Sequence, residues 1–318
     1  MMFINKKMLN MKIRYFAILA GVLLLLLLAI LAGCQPQETK TPAGETKVFE
    51  VSDIKVLKMG LIPADDAEEM LRNYEPVRQY LSKKLGIPVE IQVTSDYTAA
   101  IEAMRSKHID MAWFGPFSYI LAVDFAGAEA MVNGVRRDTG LSTYKSVIVT
   151  RADSGIKTLN DLKGKSFAFV DPASTSGNLI PRKMLIENGI DPDKDFSNVF
   201  YAGAHNAVEL AIANGKVDAG ADSDTSYDRM VSEGQIDPKR NIVIYKSGPI
   251  PGSPIAIRGD LPQDFKDKIK QALVGMDQQT IHKVAGWGDI EKYVEVSDSD
   301  YDVIRETAKV LGLKGSAK

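Results

Sequence analysis

Short apolar runs alternate with amphipathic stretches along the chain from residue 54 onward. Residues 68–85 carry apolar side chains at the three-to-four spacing of one helix face, and Gly86 follows as a stop signal. Apolar runs bounded by turn residues predict strands at residues 55–62, 89–93, 109–114, 145–150, 166–170, 197–201, 217–221 and 241–245. Strands separated by helices predict an α/β fold whose mainly parallel sheets are flanked by helices.

The order of elements repeats after Tyr144, and a segment rich in Pro and Gly at residues 247–254 is too irregular for a long helix or strand. The tail at residues 262–313 is helical in pattern. The simplest account is two lobes joined by two crossings. We expect lobe 1 to contain residues 53–144 and 250–318, and lobe 2 to contain residues 145–249.

The N-terminus has the pattern of a targeting segment. Four basic residues precede an apolar run at residues 15–32, and the only cysteine, Cys34, ends the sequence LAGC. This pattern predicts a signal peptide at residues 1–33, and LAGC resembles the bacterial lipobox, in which the cysteine is lipidated. Residues 35–47 are polar, and a flexible tether is predicted at residues 34–52. The alternatives are a buried free thiol at Cys34 and an uncleaved membrane anchor.

Composition narrows the possible partners. The chain has 318 residues, and a formal net charge of -2 gives no electrostatic reason to expect nucleic acid as a partner. Any bound anion must therefore be held by a local site. With one cysteine, no disulfide within the chain can contribute to stability.

Several segments resemble the phosphate/phosphite/phosphonate-binding components of ABC transporters. They are LIPADDAEEM, DYTAAIEAMRSKHIDMAWFGPFSY, YKSVIVTRADSGIKTLNDLKGKSFAFVDPASTSGNLIPRKML, GAHNAVELAIANGKVDAGA and SGPIPGSPIAI. The resemblance implies the two-lobe type II periplasmic-binding-protein fold, with the ligand between the lobes. It further implies a monomeric, non-enzymatic importer component without a cofactor, whose partners are a small phosphorus oxyanion, an ABC permease and its ATPase. The membrane is contacted through the N-terminal lipid anchor.

A candidate anion site lies at Ser174, Thr175, Ser176 and Gly177, which follow a buried strand and precede a helix. The first amides of a helix have no partner within it and lie at its positive dipole end, so they suit an anion. Small side chains also let a ligand approach the backbone. The alternative is an ordinary helix cap, which Ser and Thr often provide.

The resemblance assigns three more ligand-binding residues. Tyr97 and Tyr144 match positions whose phenols reach the oxyanion, and His205 matches a histidine that contacts the ligand. Each alternative is structural, because Tyr packs readily into a core and a lone His is commonly a surface or satisfied core residue.

Asp222 ends the predicted strand at residues 217–221 and lies at a predicted cleft edge. Asp222, or else Asp224, is a candidate acceptor for the P–OH of a protonated ligand, which would exclude sulfate; the alternative is a turn or cap. Ser253 stands where some relatives that bind aminoalkyl phosphonates carry an acid, which favours a smaller ligand. Trp113 and Phe114 either form an apolar wall or pack in the core.

We therefore expect a secreted, lipid-anchored binding protein for phosphite or a short phosphonate, with hypophosphite and phosphate left open as ligands. One alternative is a ligand-sensing lobe for a signalling partner. The other is a secreted hydrolase that uses Ser174 or Ser176 with His205 and Asp222, although no G-x-S-x-G motif surrounds either serine.

Overall fold

A computed structural model describes residues 54–283 and 290–313 of the chain. The predicted signal peptide, Cys34 and the tether at residues 34–52 lie outside the described residues. Within the described ranges, no helix combines the length and the apolar character needed to cross a membrane.

The described residues form strands and helices in an alternating order. The strands are β1 (Leu57–Leu61), β2 (Val89–Val93), β3 (Met111–Trp113), β4 (Ala128–Arg136), β5 (Thr143–Tyr144), β6 (Ser146–Arg151), β7 (Ser166–Phe169), β8 (Asn198–Tyr201), β9 (Ala219–Ser223), β10 (Asn241–Lys246), β11 (Ile250–Pro251), β12 (Pro254–Arg258) and β13 (Ile290–Glu295). The α-helices are α1 (Ala67–Leu85), α2 (Tyr97–Arg105), α3 (Pro116–Ala126), α4 (Ile180–Glu187), α5 (His205–Ala213), α6 (Asp224–Ser232), α7 (Gln263–Val274), α8 (Gln278–Ile281) and α9 (Asp302–Val310).

The strands build two large sheets. The first sheet has the order β13-β4-β12-β3-β1-β2, and the second has the order β10-β6-β9-β7-β8. Each contains a parallel trio, β3-β1-β2 in the first and β9-β7-β8 in the second. The other strands pair antiparallel, so both sheets are mixed rather than mainly parallel. The physical reason is the connectivity of the chain. Strand β12 is the first to join the first sheet after a crossing, β6 is the first to join the second sheet, and each pairs antiparallel with a strand of the parallel trio.

Two crossings connect the sheets and pair with each other. Strand β5 leads from the first sheet into the second, and β11 leads back. They form a two-stranded antiparallel ribbon in which Ile250 lies opposite Tyr144 and Pro251 opposite Thr143. The predicted crossing at residues 247–254 is therefore a short strand flanked by irregular backbone. The α/β two-lobe fold with two hinge crossings is confirmed.

Several elements differ from the sequence prediction, which contains neither β4 nor β12. Helix α3 begins where Gly115-Pro116 predicted only the end of a strand, since Pro at the first helical position is favourable. Its apolar residues surround the helix, so no amphipathic period marks it. Helix α6 was not predicted. The tail that looked helical contains β13, whose strand pairs with β4.

The core explains why the predicted elements form. Helix α1 buries Met70, Tyr74, Val77, Leu81 and Leu85 on one face against the first sheet. Fully burying one such side chain contributes roughly 1.5–3 kcal/mol, so this face fixes the helix far more strongly than helix propensity does.

Candidate functional site

A small cavity lies where segments that follow strands of both sheets meet the crossings. It is lined by Ile62, Ala64, Tyr97, Trp113, Gly115, Tyr144, Ser174, Thr175, Ser176, His205 and Ser253. Six of the seven predicted ligand-binding residues are in this group, and Asp222 is not. None of the lining residues is Lys, Arg, Asp or Glu. The structure therefore brings neutral donors and aromatic rings together.

Local backbone geometry shapes the loop that follows β7. Ser174 caps the helical segment, and its hydroxyl accepts a hydrogen bond from the Gly177 amide at 3.1 Å. A Cβ at Gly177 would lie 2.5 Å from Cβ of Val170, so the close approach requires glycine. In return, the Val170 amide donates to the Gly177 carbonyl at 3.0 Å. The loop is thus pinned to the end of the buried strand.

The first turn after Ser174 is a π-helix over Thr175–Leu179. Pro181 has no amide hydrogen, so the Gly177 carbonyl has no donor four residues on and accepts from outside the helix instead. The Ser176 carbonyl likewise accepts from the Ser146 hydroxyl at 2.6 Å. The wide turn buries Thr175 and Ser176 beside the cavity. Both residues were predicted as loop, and the structure instead makes them the start of a helix.

Four helix N-termini contribute lining residues to the cavity. Tyr97 is the first residue of α2, His205 is the first residue of α5, Gly115 caps α3, and Ser174 caps the segment that leads into α4. The caps of α3 and α5 make no side-chain hydrogen bond to their helices. Each N-terminus carries about half a positive charge. Their convergence makes the cavity attractive to an anion without any Lys or Arg.

Contacts between the two sides of the cavity close it. The Phe117 amide of α3 donates to the Thr175 hydroxyl at 2.8 Å. The His205 amide donates to the Ala64 carbonyl at 3.0 Å. Because α3 follows the first sheet and α5 follows a strand of the second, these bonds hold the two halves against each other.

Both predicted tyrosines lie at the cavity with buried rings. The Tyr97 hydroxyl makes no hydrogen bond to the described residues, although Ser174 lies near enough to affect its pKa. Burial raises the pKa of Tyr97 well above its usual value, with Asp171 adding to the shift. Burial also raises the pKa of Tyr144, while the hydroxyls of Thr175, Ser176 and Ser253 oppose it. Both phenols therefore keep their proton and can donate it.

His205 is backed by two buried acids. Its Nδ1 lies 2.5 Å from Oδ1 of Asp222, which also accepts from the Ser223 amide at 2.6 Å. Burial lowers the pKa of His205 to about 3 and raises the pKa of Asp222. Both pKa shifts favour neutral groups, whereas an ion pair would need the opposite shift in each. Because both side chains are buried, the effect of burial is the stronger one. Burial and the neighbouring Asp222 also raise the pKa of Glu209.

The acids predicted to meet the ligand lie behind the cavity wall in this structure. Asp222 is fully buried beneath His205. Asp224 accepts from the Lys145 amide at 2.9 Å and pairs with Arg136 at 3.4 Å. Neither carboxyl group lines the cavity, so the predicted direct acceptor role does not fit this arrangement.

A larger compartment of about 540 Å³ adjoins the cavity and shares Trp113, Tyr144 and Ser253 with it. Its other walls are mainly aromatic or neutral polar, and its only charged lining residue is Arg136. Phe114 lines neither space and is fully buried. Trp113 therefore acts as a wall, as one of the two sequence hypotheses has it, and Phe114 packs in the core.

Sequence reasoning missed Glu209. The signal was present, because Val208, Glu209 and Ile212 fall on one face of α5 together with His205. An acid on an apolar helix face indicates a buried polar network, since an unpaired buried carboxylate is costly. The partner acid, Asp222, lies 13 residues away in sequence and becomes its neighbour only when α5 packs on β9.

Comparison with known proteins gives a consistent set of relatives. The family model described as "ABC transporter, phosphonate, periplasmic substrate-binding protein" matches residues 59–301. The chain is 33% identical to the "Phosphate-import protein PhnD" of Mycolicibacterium smegmatis, over 81% of this chain and 86% of that protein. It is 35% identical to the "Phosphonates-binding periplasmic protein" of Escherichia coli, over 82% of this chain and 78% of that protein.

A solved structure of a transporter binding protein is also similar to this chain. A binding protein component of an ABC phosphonate transporter from Pseudomonas aeruginosa superimposes with a TM-score of 0.73 and 27% sequence identity. The match covers 79% of this chain and 85% of that one. The similarity thus extends over nearly all of the described residues.

Proposed function

Because this chain belongs to the family of periplasmic substrate-binding proteins of phosphonate ABC transporters, we propose that it captures phosphite or a short phosphonate and delivers it to its permease. The family location is extracytoplasmic, and the proposal adds a lipid anchor at Cys34. It also takes residues 53–144 and 250–318 as lobe 1 and residues 145–249 as lobe 2, with the ligand enclosed between them.

The observation that carries the proposal is the convergence of four helix N-termini on a cavity without a cation. A charge-assisted hydrogen bond contributes roughly 1.5–3 kcal/mol, and a micromolar complex needs about 8 kcal/mol. The hydroxyls of Ser174, Thr175 and Ser176, the first amides of their helix, and the phenols of Tyr97 and Tyr144 supply enough donors after the entropy cost of binding. We assign these residues, with His205, to the ligand.

The size and walls of the two spaces support a small phosphorus group. The cavity is small and its polar lining consists of hydroxyl, phenol and imidazole groups, so it suits a small tetrahedral oxyanion rather than a drug-sized ligand. The adjoining compartment has room for a substituent on phosphorus. It has no carboxylate among its lining residues that could hold an ammonium group. An uncharged substituent, or a hydrogen atom as in phosphite, fits these walls better than an aminoalkyl chain.

Calorimetric titration tests the proposal. The full chain, kept in mild detergent, is titrated with phosphite, methylphosphonate, aminoethylphosphonate, phosphate and sulfate. We expect micromolar or tighter binding of phosphite or methylphosphonate, and its loss in the Ser174→Ala/Thr175→Ala double variant. The matched control is Thr280→Ala/Ser297→Ala, which removes hydroxyls at two helix starts outside the cavity. A folded protein that binds none of the five anions would overturn the proposal.

The anchor has its own test. Growth with labelled palmitate should label the wild-type chain and leave Cys34→Ser unlabelled. An unlabelled wild-type chain would contradict the lipid anchor and leave the ligand assignment standing.

One feature of the structure fits the enzyme alternative: Ser174 and Ser176 share a cavity with His205, and His205 contacts Asp222. The relatives, however, are named as binding and import proteins. Labelling of Ser174 or Ser176 by a fluorophosphonate probe would favour a hydrolase. The relatives that match about four fifths of this chain are named as binding and import proteins, so they do not favour the sensor alternative.

A further inference from the structure

Two buried carboxyl groups lie behind the cavity wall, and neither of them lines the cavity. Glu209 on α5 and Asp222 on β9 have no exposed surface, and each influences the pKa of the other as a hydrogen-bond partner. Oε2 of Glu209 accepts from the Asn241 side chain at 2.9 Å. Oε1 of Glu209 and Oδ2 of Asp222 have no donor among the described residues.

These two oxygens require a proton. Two ionised carboxylates in contact inside a protein would repel each other, and each would also lack a donor. The other groups near the pair are Asn241, Ser223, Ser226 and His205, and none of these carries a permanent positive charge. One proton shared between Oε1 and Oδ2 satisfies both oxygens, as in other coupled carboxyl pairs.

The shared proton decides which ring nitrogen of His205 carries a hydrogen. It occupies the Oδ2 side of Asp222, which leaves Oδ1 as an acceptor. Oδ1 already accepts the Ser223 amide, and its other close neighbour is Nδ1 of His205 at 2.5 Å. Nδ1 must therefore be the donor in this contact. A neutral imidazole with its hydrogen on Nδ1 has a lone pair on Nε2, and any contact between this ring and a cavity anion runs through Nε2.

We propose that Glu209 and Asp222 hold His205 as a neutral hydrogen-bond acceptor at the cavity, so that the site selects phosphorus oxyanions that retain a P–OH group. This inference rests on the proposed function and refines its substrate class. A monoprotonated phosphonate or phosphite donates its P–OH to Nε2, whereas sulfate at neutral pH has no hydrogen to donate and would leave two acceptors facing each other. Asp222 thus acts on selectivity through His205, and Glu209 is a positioning residue one step further back.

The groups that face His205 agree with a neutral ring. Burial lowers the pKa of His205, and the two acids share a proton rather than carrying two charges. Across the cavity, Tyr97 and Tyr144 are neutral phenols. Asp224 raises the pKa of Asp222, while the Ser226 hydroxyl lowers it. No Lys or Arg lines the cavity.

Ring ¹⁵N NMR on the full chain, labelled at its three histidines, tests the tautomer directly. The signals are assigned with His108→Gln and His282→Gln, which lie outside the cavity. We expect a hydrogen on Nδ1 of His205 and none on Nε2 at neutral pH, both without ligand and with methylphosphonate bound. A hydrogen on Nε2 in either state would overturn the inference. The unliganded spectrum decides this even if no phosphorus anion binds, so failure of the inference and failure of the proposed function are separate outcomes.

The variant Glu209→Gln tests the role of the acid pair. Its amide donates to Oδ2, so Asp222 becomes a full carboxylate and His205 takes a second proton. We expect the ratio of methylphosphonate to sulfate affinity to fall about tenfold or more, because Nε2–H then donates to sulfate. Glu187→Gln makes the same change at an exposed position on α4 and should leave the ratio unchanged. An unaltered ratio in folded Glu209→Gln would contradict the inference; if the variant does not fold, the wild-type spectrum remains decisive.

Discussion

One buried cation, Arg229, links the two halves of the protein. Arg229 of α6 is 9% exposed and forms an ion pair with Asp65, which follows β1 and is 7% exposed. Arg229 also reaches Glu69 of α1 at 3.3 Å and Glu233 of its own helix at 2.7 Å. The first two contacts join an element of the second half to elements of the first.

Replacing Arg229 by Met keeps the packing of the side-chain stem and removes the charge. Breaking a buried pair by removing one partner costs about 3–5 kcal/mol when the other charge stays buried. When the two halves open, Asp65 becomes hydrated again. The cost therefore destabilises the closed form relative to the open form and leaves the free energy of unfolding of the open form unchanged. If ligand binds only the closed form, the affinity falls by at most about two to three and a half powers of ten. We expect a loss of at least about tenfold, with a small change in thermal stability without ligand.

The assay combines calorimetric affinity for methylphosphonate with small-angle scattering of the liganded protein. Arg229→Met should bind more weakly and require more ligand to reach the compact form. Glu233→Gln is the matched control, since it removes the contact within α6 and leaves both contacts to the other half. An Arg229→Met affinity within about twofold of the wild-type value, or an equal loss in Glu233→Gln, would refute this account of closure.

Two further predictions concern the cavity and its buried acids. Tyr97→Phe should weaken methylphosphonate binding about tenfold without lowering thermal stability, since the hydroxyl has no partner in the described residues; a drop in the melting temperature would contradict this. The pKa of Glu209 is raised by burial, so the folded state holds a proton that the unfolded state releases. Its contribution to stability is complete below the unfolded pKa and is lost as the pH rises through the folded pKa. Wild type should therefore lose stability relative to Glu209→Gln in chemical denaturation as the pH rises above the unfolded pKa of Glu209, and parallel pH profiles would contradict the raised pKa.

Elements with a clear period were predictable from sequence. Helix α1 and β2 were placed to within one or two residues because an apolar face or a run of β-branched residues marks each one. Helix α3 was not, since it is apolar all round and begins at Gly115-Pro116. Strand β13 was lost within a tail of helical composition, because its pairing with β4 is a long-range contact.

Some residues of the candidate site were predictable from sequence and others were not. Ser174, Thr175 and Ser176 carry a local signal, since small hydroxyl residues before a helix indicate amides available to an anion. Tyr97, Tyr144 and His205 came from the family resemblance, and the structure brings them to the same cavity. The position of Asp222 behind His205, and its pairing with Glu209, could not be read from spacing.

The sequence by itself determined the α/β alternation, the two crossings and the small-residue segment at Ser174, Thr175 and Ser176, because each depends on local hydrophobic pattern or local backbone chemistry. Only the tertiary structure decided that four helix N-termini meet at one cavity and that Arg229 joins the two halves. It also decided that two acids distant in sequence share a buried position beneath His205. The physical reason is that charge and hydrogen bonding depend on distance in space and on exclusion of water, and both are set by the packing of the sheets and helices.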